Sequence, residues 1–151
     1  MKNNFNIIKV GVTNCYLLKS SRSNILIDTG YKGKAKIILE YIQSLGISPK
    51  SIKLIILTHA HYDHVGNALE LKKATGAKIL LYKDDLPLLD SGITTNQSIK
   101  PLNMWGNILL RKISSIDTKF SKVTPDILID SEFDLAEYGI NGMIIHTPGH
   151  S

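Results

Sequence analysis

The sequence predicts a mixed α/β fold, and three observations carry that prediction. Short apolar runs broken by turns fill the first thirty residues, helical spacing takes over from Lys34, and a nearly all-apolar stretch, Ile52 to Leu57, stops at a group of histidines. Phe5 to Val10, Val12 to Leu18 and Ile25 to Ile27 are separated by Gly11 and by the polar stretch Ser20 to Asn24, the pattern of antiparallel strands joined by tight turns. Ile37, Ile38, Tyr41, Ile42 and Leu45 then recur at helical spacing, with Lys34, Lys36, Glu40 and Gln43 opposite and Gly46 as a stop. Ile52 to Leu57, interrupted only by Lys53, has the composition of a strand buried on both faces.

Val65, Ala68, Leu69 and Leu71 predict a second helix closing at Gly76. A strand follows at Lys78 to Tyr82, and a short helix after Asp84-Asp85. From Ser91 to Thr124 periodicity fades, although Met104, Trp105, Ile108, Leu109 and Ile113 could share a helical face; this segment is read as an insertion or as lining for a pocket, with Met104, Trp105 and Phe120 as pocket or core residues. Strand character returns at Asp126 to Asp130, at Glu132 to Leu135 and at Met143 to His146. Neither a repeat nor a Pro/Gly/Ser linker divides the chain, so one domain over residues 1–151 is expected.

Composition agrees with a single globular unit. The chain has 151 residues, 43% hydrophobic and 21% charged, and a domain of this size buries about 70% of the surface its unfolded form exposes. Long disorder and collagen-like repeats are excluded. The net charge of +5, from 18 Lys and Arg against 13 Asp and Glu, is scattered as singles and pairs such as Lys72-Lys73 and Arg111-Lys112; this favours solvated faces over a basic stripe, and the charge alone does not decide the partner, although nucleic acid is not the expected one. Cys15 stands alone, which rules out an intrachain disulfide, a cysteine zinc site and a CxxC redox pair. No signal-like apolar region opens the sequence and nowhere do eighteen apolar residues run together; the expectation is a soluble, cytoplasmic protein without membrane contact.

The five histidines fall in two windows, His59, His61 and His64 in one and His146 and His150 in the other. His59 and His61 are two apart, so on extended chain both rings point to one side and a single cation can accept both. His150, leaving a Pro148-Gly149 turn, is the natural third imidazole. Three neutral imidazoles leave the double positive charge of a zinc ion intact, and water in the fourth position is acidified to a pKa of about 7, as a hydrolase requires. Asp63 and His64 would begin a second metal site roughly 3.5–4 Å from the first. A lone histidine at a strand end is commonly a satisfied polar residue, but His-x-His-x-Asp-His after an apolar strand is not what a hydrogen-bond cluster demands. His146, at a strand end, is assigned a supporting or merely packed role.

Thr58-His59-Ala60-His61-Tyr62-Asp63-His64-Val65-Gly66 resembles the signature of the metallo-β-lactamase-fold hydrolases, the superfamily that includes glyoxalase II-like enzymes. Asn14-Cys15-Tyr16-Leu17-Leu18 with Ile27-Asp28-Thr29-Gly30 resembles the family's opening strands, and His146-Thr147-Pro148-Gly149-His150-Ser151 its next metal motif. The resemblance runs from about Gly11 to the end and is weakest over Ser91 to Thr124. It implies an αββα sandwich, here its amino-terminal portion, with a dinuclear site at the sheet edges. By that resemblance His59, His61 and His150 bind the first metal, Asp63 and His64 the second, and Asp63 also acts in catalysis by taking part in proton transfer. Asp28 becomes a carboxylate steadying the site through Thr58 or a ligand histidine; the alternative is a turn residue before Thr29-Gly30. Cys15 is expected to be a small buried residue.

The family has two further ligands after the Pro-Gly-His motif, and this sequence ends one residue beyond His150. The expectation is therefore the amino-terminal part of a longer hydrolase, incomplete at the carboxyl end, with a weak second metal site and an uncovered sheet able to pair as a homodimer. The implied activity is metal-dependent hydrolysis of a small-molecule ester, thioester or lactone by metal-bound hydroxide, with Zn2+ as the cofactor, two ions per complete site, and iron or manganese compatible with the same ligands. Two alternatives stay open: a phosphodiesterase or nuclease of the same fold, and an inert metal-binding half-domain. A flavodiiron-type redox role is disfavoured because that group carries Glu where this chain has His61.

Overall fold

The computed structural model describes residues 5–94 and 117–149. A six-stranded sheet organises them. Strands β1 (Phe5–Val10), β2 (Thr13–Lys19) and β3 (Asn24–Ile27) form an antiparallel meander, to which β4 (Ile52–Ile56), β5 (Lys78–Tyr82) and β6 (Ile127–Ile129) add in parallel, in the spatial order β1-β2-β3-β4-β5-β6. Gly11 and Val12 make the turn of the first hairpin, Gly11 with φ +67°, and Val12 projects into solvent. The mixed α/β class expected from the sequence is therefore the observed one.

Parallel neighbours need crossovers, and helices supply them. Helix α1 (Ala35–Ser44) links β3 to β4; α2 (Tyr62–Val65) and α3 (Ala68–Thr75) link β4 to β5; α4 (Leu86–Ser91) follows β5. Their apolar stripes pack on one face of the sheet, where Ile38, Ile42, Val65, Ala68 and Leu71 meet Ile8, Leu17, Leu26, Ile55, Ile79 and Leu81. The stripe of α1 is narrower than the five residues expected: Ile38 and Ile42 are fully buried, but Ile37 and Leu45 lie at its margins and stay exposed. Alternation within the same strands sends Ile25, Leu54, Ile56 and Leu80 to the other face, under Leu135 and Tyr138. Among the described residues, that second layer carries a small antiparallel pair, β7 (Phe133–Asp134) with β8 (Met143–Ile144).

Three further expectations need adjustment. The helix predicted from Val65 to Gly76 is broken: Val65 closes α2 and α3 begins at Ala68, for a reason that lies in Gly66 and Asn67 and is given below. The strand predicted through His146 ends at Ile144. Of the residues assigned to a pocket or core, Met104 and Trp105 lie outside the described residues, whereas Phe120 is buried in the helix-side core. Among the described residues no helix is long and apolar enough to cross a membrane.

Candidate metal centre

Strands β3 and β4 run side by side in the same direction, so the loops leaving their carboxyl ends meet at one edge. Asp28 is the first residue after β3 and Thr58 the second after β4. Asp28 is buried, at 3% exposure, and holds φ +59°, a left-handed conformation that Asp tolerates better than most residues because its short polar side chain bonds locally. Its Oδ1 accepts the Thr58 amide at 2.9 Å, and both its oxygens lie within 3.0 Å of Thr58 Oγ1. His64 Nδ1 donates to Oδ2 at 2.8 Å. Both sequence-level assignments for Asp28 thus describe it: it turns the chain, and it grips Thr58 and a histidine at once.

Those contacts fix proton positions. The single hydroxyl proton of Thr58 goes to Asp28, so Thr58 Oγ1 accepts from His59 Nδ1, 3.0 Å away. His64 donates its Nδ1 proton to the carboxylate directly. One buried carboxylate therefore sets the tautomer of two imidazoles, leaving Nε2 as the lone-pair nitrogen on each. The rings lie close: the His59 centroid is 4.0 Å from that of His64 and 4.5 Å from that of His61. Asp63 Oδ2 is 3.7 Å from His64 Nε2. Burial works against a charged His64, but the hydrogen bond and charge of Asp28, with the charge of Asp63, outweigh it and raise the imidazole pKa above its ordinary value.

The neutral imidazole and carboxylate donors of His59, His61, Asp63 and His64 suit a borderline divalent ion. Among the described residues, no group of three or more His, Cys, Asp or Glu side chains is arranged to hold a metal ion by itself. His150 lies outside the described residues. His146 is exposed and stacks flat on Tyr82, with ring centroids 3.8 Å apart, which is the packed role foreseen for it. Cys15 is fully buried, and that burial, reinforced by the charge of Asp28, pushes its thiol up to about 12, far from a nucleophile's range.

The backbone carrying these side chains is tied down by residues the sequence reading passed over. Thr29 holds the His64 carbonyl twice, through its amide at 2.7 Å and its hydroxyl at 2.8 Å. Buried Asn67 donates to the carbonyls of Thr29 and Tyr31 and accepts the amides of Lys34, at 2.8 Å, and Ala35, at 3.1 Å, so it both knots the β3–α1 loop and caps α1. Gly66 packs against that loop so tightly that a Cβ would collide with the backbone of Tyr31 and Lys32. Gly66 itself keeps helical angles (φ −54°, ψ −27°); the break between α2 and α3 falls at Asn67 (φ −118°, ψ 14°), whose side chain is engaged by that loop. The sequence carries only a weak signal of the break, Gly66 followed by Asn67 inside a helical apolar pattern, because an isolated glycine is tolerated there. Asp85, which accepts the Ala60 amide at 3.1 Å, carries in the sequence only the pattern of a helix start, and Thr94, which accepts the Tyr62 amide at 2.8 Å, carries no local signal.

Two hollows flank the histidines. One of about 400 Å³ is lined by Thr58, His59, Tyr82, Asp84, His146 and Pro148 among others, and a second of about 380 Å³ by Val12, Tyr31, Lys32, Tyr62, Asp63 and Asp117. His59 thus faces one space and Asp63 the other, and both volumes fall in the range of small-molecule sites.

Comparison with known proteins agrees with this arrangement. A family profile described as the metallo-beta-lactamase superfamily matches residues 8–151. A beta-lactamase-like protein 2 homolog of Drosophila melanogaster is 33% identical over 139 residues, 92% of this chain and 40% of its own. The hydroxyacylglutathione hydrolase GloC of Haemophilus influenzae is 28% identical over 140 residues, 91% of this chain and 57% of its own. Among solved structures, the subclass B3 metallo-beta-lactamase BJP-1 of Bradyrhizobium japonicum superposes with a TM-score of 0.66 at 30% identity, over 85% of this chain and 43% of that one. The chain thus spans between 40% and 57% of the length of these proteins. With its sheet, its histidine loop and its Asp28 anchor, the chain belongs to the metallo-beta-lactamase superfamily.

Proposed function

We propose that this chain supplies the histidine-rich part of a metal-dependent hydrolase site. His59 and His61, with His150, hold a first ion, and Asp63 with His64 contribute to a second; zinc is the ion best matched to this donor set, with iron or manganese compatible. The observation that supports this most is the double grip of Asp28, which holds the Nδ1 of His64 directly and that of His59 through Thr58, because fixing Nδ1 and so reserving Nε2 is what a metal ligand needs. A bound ion supplies a Lewis acid and acidifies water toward neutral pH. The chain's own residues do the rest: Asp63 stands at the wall of the second hollow, placed to take and return a proton during attack on a carbonyl, while the two hollows receive the groups on either side of the scissile bond.

The substrate class is a small ester, thioester or lactone, and the hydroxyacylglutathione hydrolase of H. influenzae, a relative by sequence, makes a thioester the first to assay. The test is metal content by elemental mass spectrometry, beside thioester turnover, on the parent and on the His59→Ala/His61→Ala double variant. Stoichiometric metal and turnover, both lost in the double variant, are expected. Metal content that survives removal of both imidazoles would overturn the assignment.

A further inference from the structure

His61 stands between two backbone amides that distant side chains hold. The Ala60 amide before it donates to Asp85 Oδ1 at 3.1 Å, and the Tyr62 amide after it donates to Thr94 Oγ1 at 2.8 Å. Asp85 comes from the turn that follows β5, and Thr94, buried at 6% exposure, from the segment after α4, which is itself fixed by its own amide on the Thr118 carbonyl and by the Ile93–Lys119 bridge. His61 is extended, with φ −74° and ψ 147°, and its carbonyl accepts the amides of His64 and Val65 that start α2. It occupies the position where a Ser, Thr or Asp would ordinarily cap the helix, and no side-chain cap forms there. Thr94 therefore satisfies from outside an amide at the first turn of α2 that the helix leaves unpaired.

We infer that Asp85 and Thr94 are positioning residues that clamp the peptide units on both sides of His61 and so set the direction of its imidazole. The inference rests on the reading of His61 as a metal ligand. With both flanking amides held, the backbone that carries the ring is fixed in place, and the ion meets a preset nitrogen in place of a loop it must order. Neither residue touches the ion; they act through Ala60 and Tyr62. Removal of one oxygen should loosen the loop and weaken the metal by the 10- to 100-fold typical when the supporting partner of a ligand is lost.

The experiment titrates the full 151-residue chain, stripped by chelator, with Zn2+ against a chromophoric competitor, and follows urea unfolding of the metal-free protein in parallel. Asp85→Ala and Thr94→Val should each weaken the first equivalent of Zn2+ by about 10- to 100-fold. Asp85→Asn and Thr94→Ser, which keep the acceptor oxygen, should bind as the parent does. Thr94→Val exchanges a hydroxyl for a methyl of the same shape and carries the test if Asp85→Ala does not fold. His61→Ala separates the two levels of inference. Parental affinity in His61→Ala overturns the ligand assignment itself; weakened affinity there, with parental affinity in Thr94→Val and Asp85→Ala, overturns the clamp alone. A loss shared equally by Thr94→Ser and Asp85→Asn, or one that tracks the fall in metal-free stability, also overturns it, because a merely structural role predicts that pattern.

Discussion

On the helix-covered face of the sheet, Ile8, Leu17, Leu26, Ile55, Ile79 and Leu81 are each exposed by 1% or less, whereas Phe5 and Ile7, on the opposite face of β1, keep 47% and 48% of their surface. The same strands build both faces, so the difference comes from what covers them. Helices α1 and α3 are the crossovers that parallel pairing of β3, β4 and β5 obliges, and the chain buries that face as it builds the sheet. Among the described residues, those that follow β6 cover the centre of the other face, and Met143 of the small second sheet keeps 58% of its own surface. The histidine loop grows out of the covered face. Thr58 to Asn67 is the connection from β4 into α3, and its anchors, Thr29, Gly66 and Asn67, sit where α1 and α3 meet the sheet edge.

Large-to-small substitutions measure that difference most directly. Leu17→Ala removes a fully buried side chain from a closed core and should cost about 2–5 kcal/mol. Ile7→Ala, one strand away on the half-covered face, should cost roughly 0.5 kcal/mol or less, as surface substitutions do. Urea unfolding of the two variants at the same pH is the measurement, and equal costs would break the comparison by showing that the second face is buried in solution.

Gly66→Ala asks whether the histidine loop is as firmly seated as the core beneath it. A methyl group at this position meets backbone atoms of Gly30, Tyr31 and Lys32, none of which can rotate aside as a side chain would. The variant should lose about 1–3 kcal/mol, the ordinary cost of overpacking, and the shift must separate the loop carrying His64 from the Thr29 hydroxyl that holds its carbonyl. Hydrogen exchange would show whether the added mobility is local to residues 59–67. A variant with parental stability and exchange would mean that the loop floats above the face and does not rest on it.

Much of this was written in the sequence at short range. The hairpin at Gly11, the buried strand from Ile52, the helix after Lys34 and the His-x-His-x-Asp-His motif each depend on residues within a few positions of one another, and periodicity and turn chemistry report such relations well. What escaped were contacts between residues far apart in the chain. Asn67 acts on Thr29 and Tyr31 across 38 and 36 positions, Thr94 on Tyr62 across 32 and Asp85 on Ala60 across 25. A side chain whose only role is to accept a distant amide leaves no local pattern, and Asn, Asp and Thr are ordinary loop residues wherever they occur. The break between α2 and α3 belongs to the same class: Gly66 is glycine because the β3–α1 loop occupies the space a side chain would need, and the helix breaks at Asn67, whose side chain that distant loop engages.

A smaller effect than that of Gly66→Ala is expected at the far edge of the covered face, where Lys72 on α3 meets Asp126 just ahead of β6 at 2.7 Å and Asp126 Oδ2 also accepts the Ile79 amide at 2.8 Å. Partial burial works against the charged carboxylate. The hydrogen bonds from Lys72 and Ile79, together with the charges of Lys72 and Lys78, outweigh it and hold the pKa below the ordinary 3.8. A carboxyl whose pKa is lowered by folding stabilises the native state above its unfolded value, and the contribution disappears as pH falls through the folded value. Asp126→Asn should therefore cost less than about 1 kcal/mol near pH 7, because the ion pair is partly solvated, and the gap from the parent should close below about pH 4. Unfolding midpoints for the two proteins across pH 2.5 to 7 provide the check. A gap that persists in acid would mean that the hydrogen bond to Ile79, and not the charge pair, ties α3 and β6 to the covered face.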